Sequence, residues 1–195
     1  MSSQESKDNI ELLSINTVNK SRYISRWSGH FLHDKPNVAE HHFRVIHWCL
    51  LLLEDKLLDH EYDSLVKLIL LYASVHDLEE VFTGDIRHDV KRHPNPDLKK
   101  IVDSVGKYYL SKEYPIASKL KDTAFTHIKE IVKLADILDW TYDVCNEYAL
   151  GNRDADLISA ATNMAITAFS KLQDTEFKHK ARCIHQSMLD EVGIS

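Results

Sequence analysis

Three adjacent pairs of histidine and aspartate are the residues of this sequence best suited to chemistry, because imidazole and carboxylate together suit a divalent metal ion. The pairs are His33-Asp34, His76-Asp77 and His88-Asp89. Composition alone accounts for about one such pair. Only His76-Asp77 follows a long apolar run, where both side chains are costly to desolvate unless something binds them. The sequence therefore predicts His76 and Asp77 as metal ligands.

A third polar side chain follows this pair within one helical turn. The apolar run from Leu65 predicts a helix that includes His76-Asp77, with Asp63-Ser64 as its N-cap. Glu80 lies three and four positions further on, so all three side chains are expected on one face of that helix. The turn Thr83-Gly84-Asp85 then ends the segment. This arrangement predicts two ligands and a nearby acid or base.

Two ligands do not fill the coordination sphere of a divalent ion, so other helices must supply more. His41, in a helix that begins at Pro36-Asn37, is expected to face the core near Val38 and Val45. Asp136 lies between apolar residues, where a carboxylate must be neutral, paired or coordinated. Asp139 and Asp143 share its side of the helix and are rival candidates, and an acidic, solvated stripe is the alternative for all three.

The elements that must position these residues are all helices. Five Gly and four Pro leave little material for the turns of an all-β fold, and no internal repeat or linker divides the chain. We predict an all-α fold and a single domain over residues 1–195, with about residues 1–8 flexible. The predicted helices are a short one from Asn9, one from Pro36, one from Asp63, and segments near 97–110, 122–150, 154–171 and 175–190.

Composition limits the possible partners and location. A formal net charge of -6 and the absence of a basic stripe argue against nucleic acid as a partner. Cys49, Cys145 and Cys183 contain no C-x-x-C motif, which argues against a thiolate zinc site or a disulfide framework. The N-terminus lacks the features of a signal peptide and no apolar stretch is long enough to span a bilayer. We therefore expect a cytoplasmic protein without a membrane partner.

Several segments, in a fixed order, resemble one enzyme family. They are Ser25-Arg-Trp27, Asn37-Val-Ala-Glu-His41, Val75-His-Asp-Leu-Glu-Glu-Val-Phe-Thr-Gly-Asp-Ile86, Lys133-Leu-Ala-Asp136 and Glu147-Tyr-Ala-Leu-Gly-Asn152. On these residues the chain resembles the HD-domain metal-dependent phosphohydrolases, and most closely their YfbR-like branch of bacterial 5′-deoxynucleotidases. The resemblance covers roughly residues 15–175 and implies an HD-domain helical bundle.

The resemblance implies a role for each residue of the site. The metal ligands would be His41, His76, Asp77 and Asp136, a set that suits Co²⁺, Mn²⁺ or Zn²⁺. Glu80 would be the acid or base, and Asp85 would position the sugar or the water. Arg26 would bind the phosphate with help from Lys91. Trp27, otherwise a core aromatic residue, would exclude a 2′-hydroxyl sterically. The family also favours a homodimer.

The chain differs from the family pattern at three places. His42 follows the first ligand where a small serine is usual, and Ile86-Arg-His-Asp-Val-Lys91 lacks the expected proline pattern. The segment after Trp27, Ser28-Gly-His-Phe-Leu-His-Asp34, is also unusual. We expect His42 and His88 to be solvated rather than to bind further metal.

The leading hypothesis is therefore a metal-dependent 5′-deoxynucleotidase, which converts a deoxyribonucleoside 5′-monophosphate and water into a deoxynucleoside and phosphate. One alternative is a triphosphohydrolase of deoxynucleoside triphosphates such as dATP, as in small phage HD enzymes. An alternative of another class is a non-catalytic helical module for nucleotide sensing or protein contact. The presence of all four ligands and Glu80 argues against that module.

Overall fold

The computed structural model describes residues 3–86, 94–173 and 175–194, and the side chains in those ranges except those of residues 3–11 and 96. Within these ranges the chain forms helices and no β-strand, which confirms the all-α prediction; a lone antiparallel bridge joins Ser25 to Asn37. No helix in the described part is long and apolar enough to cross a membrane. The α-helices are α1 (Ser3–Lys20), α2 (Val38–Leu52), α3 (Asp63–Ala73), α4 (Glu80–Thr83), α5 (Pro96–Glu113), α6 (Pro115–Thr123), α7 (Thr126–Ala149), α8 (Ala155–Ser159), α9 (Ala165–Ser170) and α10 (Glu176–Val192).

Capping side chains set several of the helix ends that the sequence predicts. Asn37 and Glu40 form a capping box at the start of α2: each side chain accepts a hydrogen bond from the backbone N–H of the other, at 3.0 and 3.1 Å. Asp154 caps the N-terminus of α8 and Thr175 caps that of α10, because each side chain accepts a hydrogen bond from a backbone N–H of the first turn. Gly151 follows α7 with φ of 96°, a conformation that glycine adopts without strain.

Three boundaries differ from the predictions. Helix α1 begins at Ser3 rather than near Asn9. The Tyr114-Pro115 step ends α5 as predicted, but Pro115 then starts a separate helix, because proline fits the first position of a helix. The segment predicted from 154 to 171 contains a π-helical turn, Ala160–Met164, between α8 and α9.

The Cα positions group into two compact units, and the first comprises residues 1–29, 35–42 and 75–123. Its apolar cluster consists of Val75, Leu78, Leu110 and Ala117, all at least 96% buried. Helix α5 lies against α1, α4 and α6 within this unit. The cluster thus fixes the turns on either side of His76-Asp77 to α5 and α6.

The second unit comprises residues 30–34, 43–74 and 124–195. Helix α7 lies at its centre and packs against α3 and α10. The Glu147 carboxylate near the end of α7 is 1% exposed. It accepts hydrogen bonds from the backbone N–H groups of His33 and Asp34, at 2.9 and 2.8 Å. Glu147, the first residue of the last segment that resembles the family, therefore holds residues 33–34 in place. The single-domain organisation stays a prediction.

Candidate active site

His76 and Asp77 lie in tight turns between two helices, and the predicted continuous helix is wrong here. Helix α3 ends at Ala73, and Glu80 is the first residue of α4. Hydrogen bonds across three residues link this stretch, from the N–H of Leu78 to the carbonyl of Val75 and from Glu80 to Asp77, at 3.2 and 3.0 Å. The three polar side chains therefore do not share one α-helical face, although they remain in one short segment.

The side chains of His41, His76 and Asp77 come together within the first unit. The capping box of α2 places His41 in the first turn of that helix, where it is fully buried. Its Nε2 atom lies 3.0 Å from Nε2 of His76 and 3.5 Å from Oδ2 of Asp77. The third side of this triangle, from Nε2 of His76 to the same oxygen, is 3.6 Å.

This triangle has the dimensions of one face of a metal site. A point about 2.1 Å from all three atoms lies just outside its plane, and zinc–nitrogen bonds are about 2.0–2.1 Å. The donors, two imidazole nitrogens and a carboxylate oxygen, are those that borderline divalent ions prefer. The three residues therefore fit a divalent ion, because their candidate ligand atoms all lie within 4.8 Å of one another.

Asp77 also faces a cation. Its Oδ2 atom lies 3.6 Å from Nη1 of Arg26, whose side chain is only 11% exposed. Burial raises the pKa of Asp77, but His76, His41 and Arg26 together outweigh burial and hold that pKa well below its ordinary value. The carboxylate is therefore negatively charged, as a metal ligand must be.

The segment that carries Arg26 and Trp27 is held in an uncommon conformation. Trp27 has φ of 58°, and it is the one non-glycine residue with positive φ in the described part of the chain. Two backbone hydrogen bonds tie this segment to the start of α2, from Arg26 to the carbonyl of Pro36 and from Val38 to that of Ile24, both at 2.9 Å. Such a conformation costs about 1–3 kcal/mol and persists where the surroundings enforce it.

Asp85 helps to hold Trp27 in this conformation. Its Oδ2 atom accepts a hydrogen bond of 3.3 Å from the backbone N–H of Ser28, directly after Trp27. Gly84, with φ of 74°, ends α4 and directs the chain to Asp85. The structure thus links Asp85 to the tryptophan segment, whereas Lys91 lies outside the described residues.

Glu80 is more buried than His76 and Asp77, two of the predicted ligands. Its exposed fraction is 6%, and its backbone is fixed by the bond to Asp77 and by the N–H of Gly84, which donates to the Glu80 carbonyl at 2.8 Å. Glu80 is therefore a buried carboxyl group on a short helix, directly after the predicted ligands His76 and Asp77, which is the kind of group that general acid–base catalysis uses.

The fourth predicted ligand, Asp136, belongs to the second unit. It is 6% exposed on α7, and the ammonium group of Lys133 lies 2.5 Å from its Oδ2 atom. Its two rivals have another partner, because Arg44 binds both oxygens of Asp139 at 2.6 and 3.1 Å and Oδ1 of Asp143 at 2.5 Å. Asp139 and Asp143 therefore form a buried ion-pair network rather than a solvated stripe.

His42 is buried, so the expectation that it is solvated is wrong. Its exposed fraction is 7%, and its ring centroid lies 5.0 Å from that of His76 and 5.8 Å from that of His41. Burial lowers the pKa of His42 well below its ordinary value, and the neighbouring His76 and His41 lower it further. The third imidazole beside the ligands is therefore neutral.

Lys121 is a residue that the sequence analysis missed. From α6, 45 positions along the chain, its ammonium group donates to the carbonyl of His76 and to the carboxylate of Glu79. Burial raises the pKa of Glu79, and Lys121 opposes that shift. Gly106 of α5 packs so closely here that a Cβ at this position would lie 2.9 Å from Cβ of Glu79. Lys121 and α5 together hold the turn that carries His76.

Replacing Lys121 by methionine is expected to weaken metal binding by about tenfold, since groups that orient ligands typically affect metal affinity by about 10–100-fold. The change leaves the His76 carbonyl without this donor and Glu79 without its cation. Calorimetric titration with Zn²⁺ or Mn²⁺ measures the effect, well below the melting temperature of both proteins. Lys121→Arg is the matched control and should retain most of the affinity. A lower melting temperature with unchanged metal affinity would contradict the positioning role.

A family model described as 5′-deoxynucleotidase YfbR-like matches residues 14–188. The chain belongs to this YfbR-like family. The match confirms the resemblance drawn from the motifs and covers every residue of the candidate site. This YfbR-like chain is accordingly a metal-dependent phosphohydrolase that acts on nucleotides.

Similar proteins agree with the family and the fold. The YfbR-like chain is 34% identical over 151 residues to a 4′-phosphooxetanocin A phosphatase of Priestia megaterium, covering 72% of this chain and 75% of that protein. An HD phosphohydrolase of cyanophage S-2L, DatZ, solved with dA and one catalytic Zn²⁺ ion, has a TM-score of 0.71 at 19% identity over 90% of this chain and 96% of its own. An HD-domain phosphohydrolase of Listeria innocua has a TM-score of 0.72 at 22% identity, covering 92% and 90%. The last two likenesses confirm the HD-domain fold.

Proposed function

We propose that this protein is a 5′-deoxynucleotidase, which hydrolyses deoxyribonucleoside 5′-monophosphates to deoxynucleosides and phosphate. The observation that carries the proposal is the His41–His76–Asp77 triangle with Arg26 beside it. A site with three ligands on one side and a guanidinium 3.6 Å from one of them suits an ion and a phosphate group together. A relative named as a phosphatase supports the removal of a phosphate.

We assign the metal to His41, His76, Asp77 and, as the fourth ligand, Asp136. The buried position of Asp136 on α7 supports this assignment, and Asp139 and Asp143 already bind Arg44. Co²⁺, Mn²⁺ and Zn²⁺ all suit two imidazoles and two carboxylates, and the Zn²⁺ ion in the DatZ structure supports the same choice. When bound, such an ion supplies Lewis acidity toward a phosphoryl oxygen and toward water.

The other residues of the first unit divide the remaining tasks. Arg26 would bind the phosphate, and Lys91 would help to neutralise it. Glu80 would move a proton, either from the attacking water or to the leaving 5′ oxygen. Asp85 would position the sugar or the water and, through its bond to Ser28, also hold the segment that presents Trp27.

The substrate is tested by incubating the purified, metal-loaded protein with dAMP, dATP and AMP and following phosphate and triphosphate release. The proposal expects phosphate from dAMP, little from AMP, and no triphosphate from dATP. Release of triphosphate from dATP with inert dAMP would favour the alternative reaction, hydrolysis of deoxynucleoside triphosphates. Absence of turnover with every metal and nucleotide would favour the non-catalytic module.

Trp27 is the residue proposed to reject ribonucleotides, because an indole packed against C2′ leaves no room for a hydroxyl group. Replacing Trp27 by alanine is therefore expected to lower the preference for dAMP over AMP by about tenfold or more, mainly through faster turnover of AMP. The measurement is kcat/KM for both nucleotides. Trp27→Phe, which keeps an aromatic ring on the same backbone, should retain part of the preference. An unchanged ratio in Trp27→Ala would exclude this role.

A homodimer and a cytoplasmic location also belong to the proposal. Exposed apolar side chains, among them Ile101, Tyr108 and Phe43, support the proposal of an interface between copies of the chain. Cys49, Cys145 and Cys183 all carry free thiols, which suits a reducing compartment. That the protein has no nucleic-acid or membrane partner stays a prediction from its charge and sequence.

A further inference from the structure

His42 has a buried nitrogen that the residues in the described part of the chain do not satisfy. Its Nε2 atom is inaccessible to solvent, and no described residue forms a hydrogen bond with it. An unsatisfied buried polar atom costs about 1–3 kcal/mol, and native structures contain few of them. Because this atom has no accessible surface in the structure, a partner from outside the chain reaches it only when the His42 ring turns toward the neighbouring site.

The position of His42 narrows the choice of partner. Its ring lies 5.0 Å from that of His76, centroid to centroid, and Nε2 of His76 lies 3.6 Å from Oδ2 of Asp77. Arg26, the proposed phosphate-binding residue, contacts the same Asp77 carboxylate at 3.6 Å. His42 therefore lies beside His76, and Arg26 lies beside the adjacent Asp77, where the proposed function places a phosphate group.

Metal coordination by His42 fits the structure less well. His41, His76 and Asp77 belong to a group whose ligand atoms all lie within 4.8 Å of one another, and His42 does not belong to that group. An imidazole with its proton on Nε2 is instead a hydrogen-bond donor, which suits a phosphate oxygen.

We propose that His42 is a further substrate-binding residue, which donates a hydrogen bond from Nε2 to an oxygen of the substrate phosphate. The proposal rests on the proposed function, because it assumes that a phosphate binds beside His76 and Asp77. It adds a second donor to Arg26. The extra donor should strengthen binding of the phosphate group whatever base the nucleotide carries.

The test compares His42→Phe, which keeps a ring but no donor, with His42→Gln, whose amide group can replace the Nε2–H donor. Inorganic phosphate is titrated calorimetrically into each metal-loaded protein, and metal affinity is measured separately. We expect His42→Phe to bind phosphate about tenfold more weakly, since hydrogen bonds to charged groups are among the stronger ones. His42→Gln should recover much of that loss, and both variants should bind metal within about twofold of the parent chain.

Two results would overturn the proposal. Unchanged phosphate affinity in His42→Phe would exclude the hydrogen bond, and a large loss of metal affinity in both variants would make His42 a metal ligand instead. His42→Ser, which has a small side chain too short to replace the Nε2–H donor, provides a third variant if His42→Phe does not fold. Failure of the proposed function is distinguished by the parent chain, which would then bind phosphate but release none from dAMP.

Discussion

Replacing Asp77 by asparagine is expected to lower kcat/KM for dAMP by about 10³-fold or more. The Asp77 carboxylate would bind the metal ion and also faces the Arg26 guanidinium, so its charge matters to both. Its Oδ2 atom lies within 3.6 Å of both imidazole nitrogens and of the Arg26 guanidinium. Asparagine keeps the shape of the side chain but removes the negative charge. The metal site then loses an anionic ligand, and Arg26 loses the charge that orients it beside the ion.

The effect should appear in metal affinity as well as in turnover. Calorimetric titration with Zn²⁺ or Mn²⁺ gives the first quantity, and phosphate release at saturating metal gives the second. Asp143→Asn is the matched control, because it also removes a buried carboxylate but one that binds Arg44 within the second unit. The control should lower the melting temperature and leave metal affinity unchanged. Near-normal metal affinity in Asp77→Asn would show that Asp77 is not a ligand.

Helix ends with local signals could be predicted from the sequence. The Asn37–Glu40 capping box and the Thr175 cap depend on residues three positions apart, and the sequence shows both directly. The end of α3 has no such signal. Apolar residues continue past Ala73 to Val75 and Leu78, both buried, so the periodicity suggests a helix where the chain forms tight turns. The donor that helps to hold these turns, Lys121, is distant in sequence.

The candidate site shows the same division between local and distant signals. Local pattern was sufficient to nominate His76 and Asp77, which follow an apolar run, and Glu80, which lies within one helical turn of them. His41 was nominated from its expected position facing the core. The pairing of Asp139 and Asp143 with Arg44 could not be predicted, because Arg44 lies more than 90 positions away from Asp139. The positive φ of Trp27 was also invisible in the sequence, since the hydrogen bonds that maintain it come from Pro36 and Asp85.

Two layers of residues therefore determine what the site can do. The proposed ligands and Arg26 would bind the metal and the phosphate, whereas Lys121, Asp85 and the capping box of α2 hold the backbone that carries them. Substitutions in the second layer are expected to change metal affinity or substrate choice by about tenfold, because the ligands themselves remain. Substitutions of the proposed ligands or of Glu80 remove a group that would bind the metal or transfer a proton, so they should lower turnover by a much larger factor.

Replacing Glu80 by glutamine is expected to lower kcat by about 10²–10⁴-fold, the usual contribution of a general acid or base. The amide matches the carboxyl group in size, so the buried side chain can keep its place at the start of α4. Metal affinity should remain within about twofold of the parent value, because Glu80 is not among the proposed ligands. Phosphate release from dAMP, measured across a range of pH at saturating metal, gives kcat. The plot of kcat against pH also shows whether the part of the profile due to titration of Glu80 disappears.

Glu79→Gln is the matched control for this variant, since the two glutamates are adjacent and only Glu79 pairs with Lys121. Loss of that pair should lower the melting temperature and weaken metal binding modestly, while kcat at saturating metal stays near that of the parent chain. The two variants thus predict opposite patterns: reduced kcat with normal metal affinity for Glu80, and the reverse for Glu79. A Glu80→Gln protein with nearly normal kcat and an unchanged pH profile would exclude Glu80 as the proton-transfer group, and the site would then have to use water alone for that step.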